Sequence, residues 1–280
     1  MRPAKIALPY FDLLIEKINS GDINAQQAFG RHVHWGYWPQ PDQADGSLAD
    51  FAIATEQLSQ RVYTAAGIKE NDRVLDAGCG FGGTIASLNE TFQNLHLTGL
   101  NIDPRQLARA RQEVMPLANN QIEFVEGDAC KMPFADASMD VVLAVECIFH
   151  FPSRVEFFRE AHRVLRPGGR LGICDFVPLT LFRTFHQFLS FLRSPLDQGF
   201  YGRVDFLTTL SDYRAIAQET GFVLSAEEDI TRQTLPTYPV VRHLFGQVAD
   251  PEAVQTTASV EKVSQLGLLR YRILSFTLAD

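Results

Sequence analysis

The sequence predicts an α/β fold: a parallel sheet with helices on both faces. Three observations carry this. A glycine-rich turn, Asp76–Ala77–Gly78–Cys79–Gly80–Phe81–Gly82–Gly83, joins the strand-like run Arg73–Val74–Leu75 to an amphipathic stretch, Thr84 to Phe92. Strand-like and helix-like segments alternate from there to about residue 178, as βαβ units require. Val141–Val142–Leu143–Ala144–Val145 is a continuous apolar run, the pattern of a central parallel strand covered on both sides.

The elements follow in order. Val74–Asp76 reads as the first strand, and Ile85, Leu88 and Phe92 mark one face of the helix after it. Leu95–Leu100 is the second strand. Asp103–Pro104 then reads as an N-cap with proline in the first helical turn. Ile122–Val125 is a third strand and Asp140–Cys147 a fourth. Ser153 and Glu156 form a capping-box pattern opening a helix through Leu165, which Pro167–Gly168–Gly169 stops. Arg170–Phe176 is a fifth strand, Ser211–Thr220 a further helix, and Phe222–Ala226 and Tyr271–Leu278 are closing strands. Between them, Phe182, Phe185, Phe188 and Phe191 lie in an aromatic-rich amphipathic segment. That segment suits an apolar or ring-bearing ligand or simple packing.

Bulk properties narrow the function. The chain has 280 residues, 46% of them hydrophobic, enough for a sizeable core. Its net charge of −8 and lack of any Lys/Arg-rich run argue against a nucleic-acid partner. No apolar run reaches membrane-spanning length, and Met1 to Leu14 lacks the pattern of a signal peptide. The four cysteines, Cys79, Cys130, Cys147 and Cys174, form no C-x-x-C pair. Reduced thiols in a cytoplasmic protein are the expectation.

The glycine turn is a nucleotide-type binding corner. Gly78, Gly80 and Gly83 satisfy G-x-G-x-x-G, so a dinucleotide site is the rival reading. Asp76 favours a cationic ligand instead, because a carboxylate there repels a pyrophosphate but accepts a hydrogen bond from an α-ammonium. S-adenosylmethionine (SAM) carries such an ammonium and a sulfonium. Asp128, in Gly127–Asp128–Ala129 at the end of the third strand, suits an adenine amino group.

Three motifs in order, D-A-G-C-G-x-G-G, G-D-A-x-x-x-P-F and V-L-R-P-G-G, resemble those of class I SAM-dependent methyltransferases over residues 60–178. The resemblance implies a Rossmann-like doubly wound sheet of order 3-2-1-4-5-7-6 with its last strand antiparallel, plus N-terminal and inserted helical caps. It implies one domain over 1–280: a cap to residue 60, a SAM-binding core at 61–178, a lid at 179–210, and 211–280 completing the sheet and the acceptor pocket. It places Asp76, Gly78, Gly80 and Gly82 at the methionine end of the cofactor. Asn101, followed by Ile102, stands where the family usually has an acid on the ribose hydroxyls, and Gln106 is placed to help it. Asp128 and Ala129 fall at the adenine, and Glu146 at SAM or the acceptor.

Val145–Glu146–Cys147–Ile148–Phe149–His150, Cys174–Asp175–Phe176–Val177 and His34–Trp35–Gly36–Tyr37–Trp38 narrow the likeness to small-molecule enzymes of the rebeccamycin sugar O-methyltransferase and tocopherol methyltransferase type. By that likeness Tyr37 belongs to a lid and Tyr10 closes over the methionine end, ordinary packing being the other reading of both. An imidazole titrates near neutrality, so His150 is the candidate base for a hydroxyl acceptor and Asp175 its partner, a structural histidine at a helix start and an Asp175 bonded to the acceptor or to loop backbone being the other readings. O-methylation of a small-molecule acceptor is the expected activity, yielding S-adenosylhomocysteine, with no metal, nucleic acid or membrane involved. C-methylation of a phenolic, quinone-like or prenyl substrate is the runner-up, and N-methylation of a glycine-like amine comes third, with Arg183, Arg193 and Arg203 as candidate clamps. An NAD-dependent oxidoreductase and a non-catalytic SAM-binding protein are the rivals from other classes. Oligomeric state is not legible.

Overall fold

A computed structural model describes residues 8–181, 183, 201, 202, 204–247 and 251–279. Phe182, Phe185, Phe188, Phe191, Arg193 and Arg203, and with them most of the expected lid, lie outside the described residues.

Seven strands form one sheet in the order β3-β2-β1-β4-β5-β7-β6. They are β1 (Arg73–Ala77), β2 (His96–Asn101), β3 (Gln121–Glu126), β4 (Met139–Val145), β5 (Leu165–Pro178), β6 (Phe222–Asp229) and β7 (Leu269–Leu278). The first five run parallel, and β7 is antiparallel to both of its neighbours. The doubly wound sheet and its order agree with expectation.

The continuous apolar run of β4 resolves into two faces. Val141, Leu143 and Val145 join a core with Leu58, Val62 and Leu88. Val142 and Ala144 join the opposite core with Phe157, Phe158 and Tyr213. Full burial of each such large side chain contributes roughly 1.5–3 kcal/mol. The first core is covered by α3 (Leu48–Ala65) and α4 (Gly83–Thr91), and the second by α6 (Arg154–Val164) and α7 (Leu210–Glu219). At the N-terminal side, α1 (Pro9–Asn19) packs on α2 (Ile23–Phe29), which packs on α3.

Local chemistry sets the helix starts. Asp103 accepts from the Arg105 amide at 2.9 Å and Pro104 fills the first turn of α5 (Pro104–Glu113), as read from sequence. Only half of the Ser153 capping box forms. The hydroxyl accepts from the Glu156 amide at 3.2 Å, while the Glu156 carboxylate pairs with Arg159. A complete capping box instead opens α7, between Thr209 and Asp212.

The stop after α6 also differs from expectation. The helix ends at Val164, and Leu165 already pairs with Met139 in the sheet. The register then jumps to Arg170 opposite Val141, so Arg166–Gly169 bulges out, with Gly168 left-handed at φ 72°. Both closing strands run longer than read. Beyond β6, a short α8 (Thr231–Thr234) precedes α9 (Thr237–Gln247) and α10 (Pro251–Gln265), which pack on each other. Val240, Val241, Leu244 and Phe245 of α9 share a third core with Phe51 and Trp38.

Candidate active site

The carboxyl ends of β1, β2 and β4 open onto a cavity of about 910 Å³, counting the part open to solvent. This is where an open α/β sheet places a ligand. Its floor is the turn after β1. The Gly78 and Cys79 amides both donate to the Leu100 carbonyl, at 2.8 and 3.0 Å, which folds the turn against β2. Gly78 sits at φ 85°, and a Cβ there would meet Cys147 Sγ at 2.7 Å, so only glycine fits. Gly80 also lines the cavity.

Asp76, the next-to-last residue of β1, is 1% exposed. Its Oδ1 is buried without a hydrogen-bond partner, and burial pushes its carboxyl up to about 7. An unpaired buried carboxylate is costly unless a cation completes it.

Asn101 and Gln106 meet. The Asn101 amide donates to Gln106 Oε1 at 3.0 Å, while its own carbonyl accepts from the Asp103 amide at 3.0 Å. Both residues and Ile102 line the cavity. Asp103 is the N-cap and pairs with Arg105. Asp128 and Ala129 form another stretch of wall, where Asp128 Oδ1 accepts from the Cys130 amide at 2.8 Å.

Glu146 follows β4 at φ 51°, a left-handed conformation that is uncommon for glutamate. Its Oε2 accepts from the Trp35 amide at 2.9 Å and from the Tyr271 hydroxyl. Burial pushes the carboxyl up to about 8 against those two bonds. His150 closes the 3-10 turn Ile148–His150, with its Nε2 at 3.1 Å from the Tyr10 hydroxyl. Leu8, Tyr10 and Phe11 bring the start of α1 over the cavity, and Phe11 stacks edge-on against Phe81 at 5.9 Å.

Three expected site residues lie elsewhere. Gly82 caps α4 at φ 83°, where a Cβ would meet Ala110 and Phe124 at 3.1 and 3.2 Å; its role is close packing. Tyr37 faces α3, its amide bonded to the Ala54 carbonyl at 2.8 Å and its ring beneath Arg61 at 5.8 Å. The cause is alternation: residues 32 to 38 run extended, burying His32, His34, Gly36 and Trp38 on one face and leaving Tyr37 on the other.

Asp175 is the third. It is fully buried, accepting from Arg154 Nη2 at 2.9 Å, from the Phe176 amide at 2.8 Å and from the Tyr213 hydroxyl. It does not partner His150. Its neighbours Cys174 and Phe176 face the α3 side of the sheet, so strand alternation turns Asp175 toward α6 and α7. Arg154 in turn holds Asp205 at 2.6 Å, tying the 204–208 segment to the end of β4 through Asp205 N and the Phe149 carbonyl at 3.0 Å.

Sequence reasoning did not single out Arg31, His32, Phe81 or Thr84 as wall residues, although they line the cavity. His32-x-His34 in an extended run was the available signal.

A protein-family model described as "Methyltransferase domain" matches residues 75–173. Methyltransferase GfsG of Streptomyces halstedii is 33% identical over 78% of this chain and 75% of its own length. The 27-O-demethylrifamycin SV methyltransferase of Amycolatopsis mediterranei is 30% identical over 87% and 85%. The chain belongs to the SAM-dependent methyltransferases. This methyltransferase acts on small-molecule substrates. A crystal structure of geranyl diphosphate C-methyltransferase from Streptomyces coelicolor, with Mg2+, geranyl diphosphate and S-adenosylhomocysteine, superposes with a TM-score of 0.71 at 15% identity, covering 98% of this chain and 100% of that one. That likeness is one of fold. The methyltransferase uses SAM as its donor, and its cavity suits it, with an acid whose buried Oδ1 lacks a hydrogen-bond partner in one wall and paired amide side chains in another. Among the described residues no helix is long and apolar enough to cross a membrane.

Proposed function

We propose that this methyltransferase methylates a hydroxyl oxygen on a ring-bearing small molecule, with His150 as the base. Bound SAM supplies an activated methyl whose sulfur leaves as a neutral thioether. The protein's task is alignment, plus removal of the acceptor's proton. The observation that carries the reading is the placement of His150 on the cavity wall, at the end of the short turn that follows β4, with its Nε2 3.1 Å from the Tyr10 hydroxyl of the covering helix.

The remaining roles follow from charge and reach. Asp76 takes the α-ammonium, which returns its buried carboxyl to the ionised form. Asn101 and Gln106 act as a pair on the ribose, and Asp128, with Ala129 beside it, takes the adenine amino group. Gly78 and Gly80 let the backbone approach the methionine end. Glu146, held by Trp35 and Tyr271, contacts the donor or the acceptor beside the reacting carbon. Residues 1–60 form the cap, 61–178 the cofactor core, 179–210 a lid and 211–280 the completion of sheet and acceptor pocket. The name of the rifamycin relative supports oxygen as the acceptor atom.

The test is a panel of phenols, sugars, quinols and macrocyclic alcohols, incubated with isotopically labelled SAM and read by mass spectrometry. The reading expects label on oxygen. In His150→Ala it expects turnover lower by roughly 10²–10⁴-fold, with SAM affinity within about twofold. An unchanged rate removes His150 from the mechanism, and label on carbon moves the reading to the runner-up.

A further inference from the structure

The charge of Arg154, a side chain only 5% exposed, is already matched by the fully buried Asp175, 2.9 Å away. Arg154 Nε also donates to the Tyr213 hydroxyl at 3.0 Å. These two partners, from β5 and α7, fix the plane of the guanidinium. A second carboxylate is not needed to neutralise it, yet Asp205 supplies one. Arg154 Nη1 donates to Asp205 Oδ2 at 2.6 Å, and Nη2 donates to the Asp205 carbonyl oxygen at 2.7 Å. The Asp205 side chain is 51% exposed, so these charge-assisted bonds hold a surface segment in place rather than fill a core.

The backbone shows what that segment holds. Asp205 Oδ1 accepts from the Leu207 amide at 2.9 Å and Oδ2 from the Thr208 hydroxyl at 3.1 Å, which shapes residues 205–208 around the carboxylate. The Asp205 amide donates to the Phe149 carbonyl oxygen at 3.0 Å. The Phe149 carbonyl and the His150 amide are opposite edges of one planar peptide unit. The His150 amide donates to the Cys147 carbonyl oxygen at 2.9 Å, inside its own turn. The peptide that leads into His150 is thus held on one edge by the turn and on the other by Asp205. Phe206 adds a contact from the same segment, its ring 5.4 Å from that of Phe149 and 5.3 Å from that of Phe176.

We propose that Arg154 and Asp205 are positioning residues for methyl transfer: Arg154, anchored on Asp175 and Tyr213, holds Asp205, whose amide sets the peptide that aims His150 at the acceptor. The inference rests on His150 as the base. Arg154 sits on the α6 and α7 side of the sheet and His150 on the cavity wall, and residues 204–208 bridge them. Cutting the Arg154–Asp205 bonds leaves the Phe149 carbonyl bonded to a segment without an anchor. The base turn then gains freedom while the cofactor loses no contact. A displacement of about 1 Å in a reacting group costs up to roughly a hundredfold in rate.

The test is a mutant cycle between positions 205 and 150. Asp205 is exposed, so Asp205→Ala folds with the Arg154–Asp175 pair intact. Turnover is measured with labelled SAM and whichever phenol, sugar, quinol or macrocyclic alcohol the wild type methylates fastest. Asp205→Ala lowers kcat roughly tenfold, with acceptor KM and S-adenosylhomocysteine affinity within about twofold. Asp205→Asn, which keeps one of the two oxygens, falls between. In a His150→Ala background Asp205→Ala has little further effect, because the residue acts through His150. In ligand-free enzyme carrying 15N-histidine, the His150 ring signals, assigned by their loss in His150→Ala, shift or broaden in Asp205→Ala while those of His96 hold. A clamp that only adds stability leaves kcat unchanged, or lowers it equally in the His150→Ala background; either result overturns the inference, as do unmoved His150 signals. Should the wild type methylate none of these acceptors, the NMR comparison decides. If His150→Ala leaves turnover unchanged, the base reading itself fails; if it slows turnover and Asp205→Ala does not, only this inference does.

Discussion

The hydroxyl of Tyr10 lies 3.1 Å from Nε2 of His150, and the two rings stack 5.8 Å apart at 22°. This contact fastens the first turn of α1 to the turn after β4. Burial, with the nearby Glu146 carboxyl adding to it, pushes the Tyr10 phenol well above its ordinary value, so it keeps its proton at neutral pH. Tyr10→Phe keeps the stack and removes the hydrogen bond. Turnover should fall about fivefold, the worth of one such bond, while SAM affinity changes by less than about threefold. Steady-state rates together with calorimetry check this, and an equal rate shows that the contact only packs.

Asp76 and Glu146 make ligand-free stability depend on pH in an unusual direction. Burial raises both carboxyls, to about 7 and about 8. Between roughly pH 4 and those values the native state therefore binds more protons than the unfolded chain, and stability falls as pH rises through that window. For Asp76 alone the full span is on the order of 4 kcal/mol. Melting temperature of the ligand-free enzyme should decline from pH 5 to 8, and less steeply in Asp76→Asn. Saturating S-adenosylhomocysteine should recover most of the loss, because its ammonium favours the ionised acid. A flat wild-type profile contradicts this account of Asp76.

Asp175 should act on stability. Its side chain is fully buried and that of Arg154 is 5% exposed, and removing one partner of such a pair leaves the other charge short of compensation. Asp175→Asn should lower the free energy of unfolding by about 3–5 kcal/mol, measured in urea, with cofactor affinity intact in the folded protein. Normal stability with lost turnover would return Asp175 to the chemistry.

Much of the scaffold was legible because its signals are local. The β4 run, the Asp103–Pro104 start and the glycine turn each need only neighbouring residues to make sense. Asp76, Asn101, Gln106 and Asp128 could be placed on the cavity wall because Asp76 and Asn101 lie at the ends of β1 and β2, and Gln106 and Asp128 come within a few residues of a strand end, at the rim where a doubly wound sheet opens. Asp175 was misplaced because a residue at the end of a strand has two faces available, and the choice depends on α6 and α7, whose Arg154 and Tyr213 lie far off in sequence. Tyr37 was misplaced because the extended character of residues 32–38 is hard to see in a short aromatic cluster. The meeting of Tyr10 with His150 spans 140 residues, and no local pattern announces it.

The position of β7 bears on how the chain is made. Of the seven strands it emerges from the ribosome last, yet it lies inside the sheet, between β5 and β6. Until it arrives, β5 presents an open edge and β6 has no strand to pair with. A nascent chain halted before Leu269 therefore offers exposed backbone to its neighbours, the situation that favours aggregation over folding. Stalled or prematurely terminated translation products of this enzyme are the species on which chaperones would act.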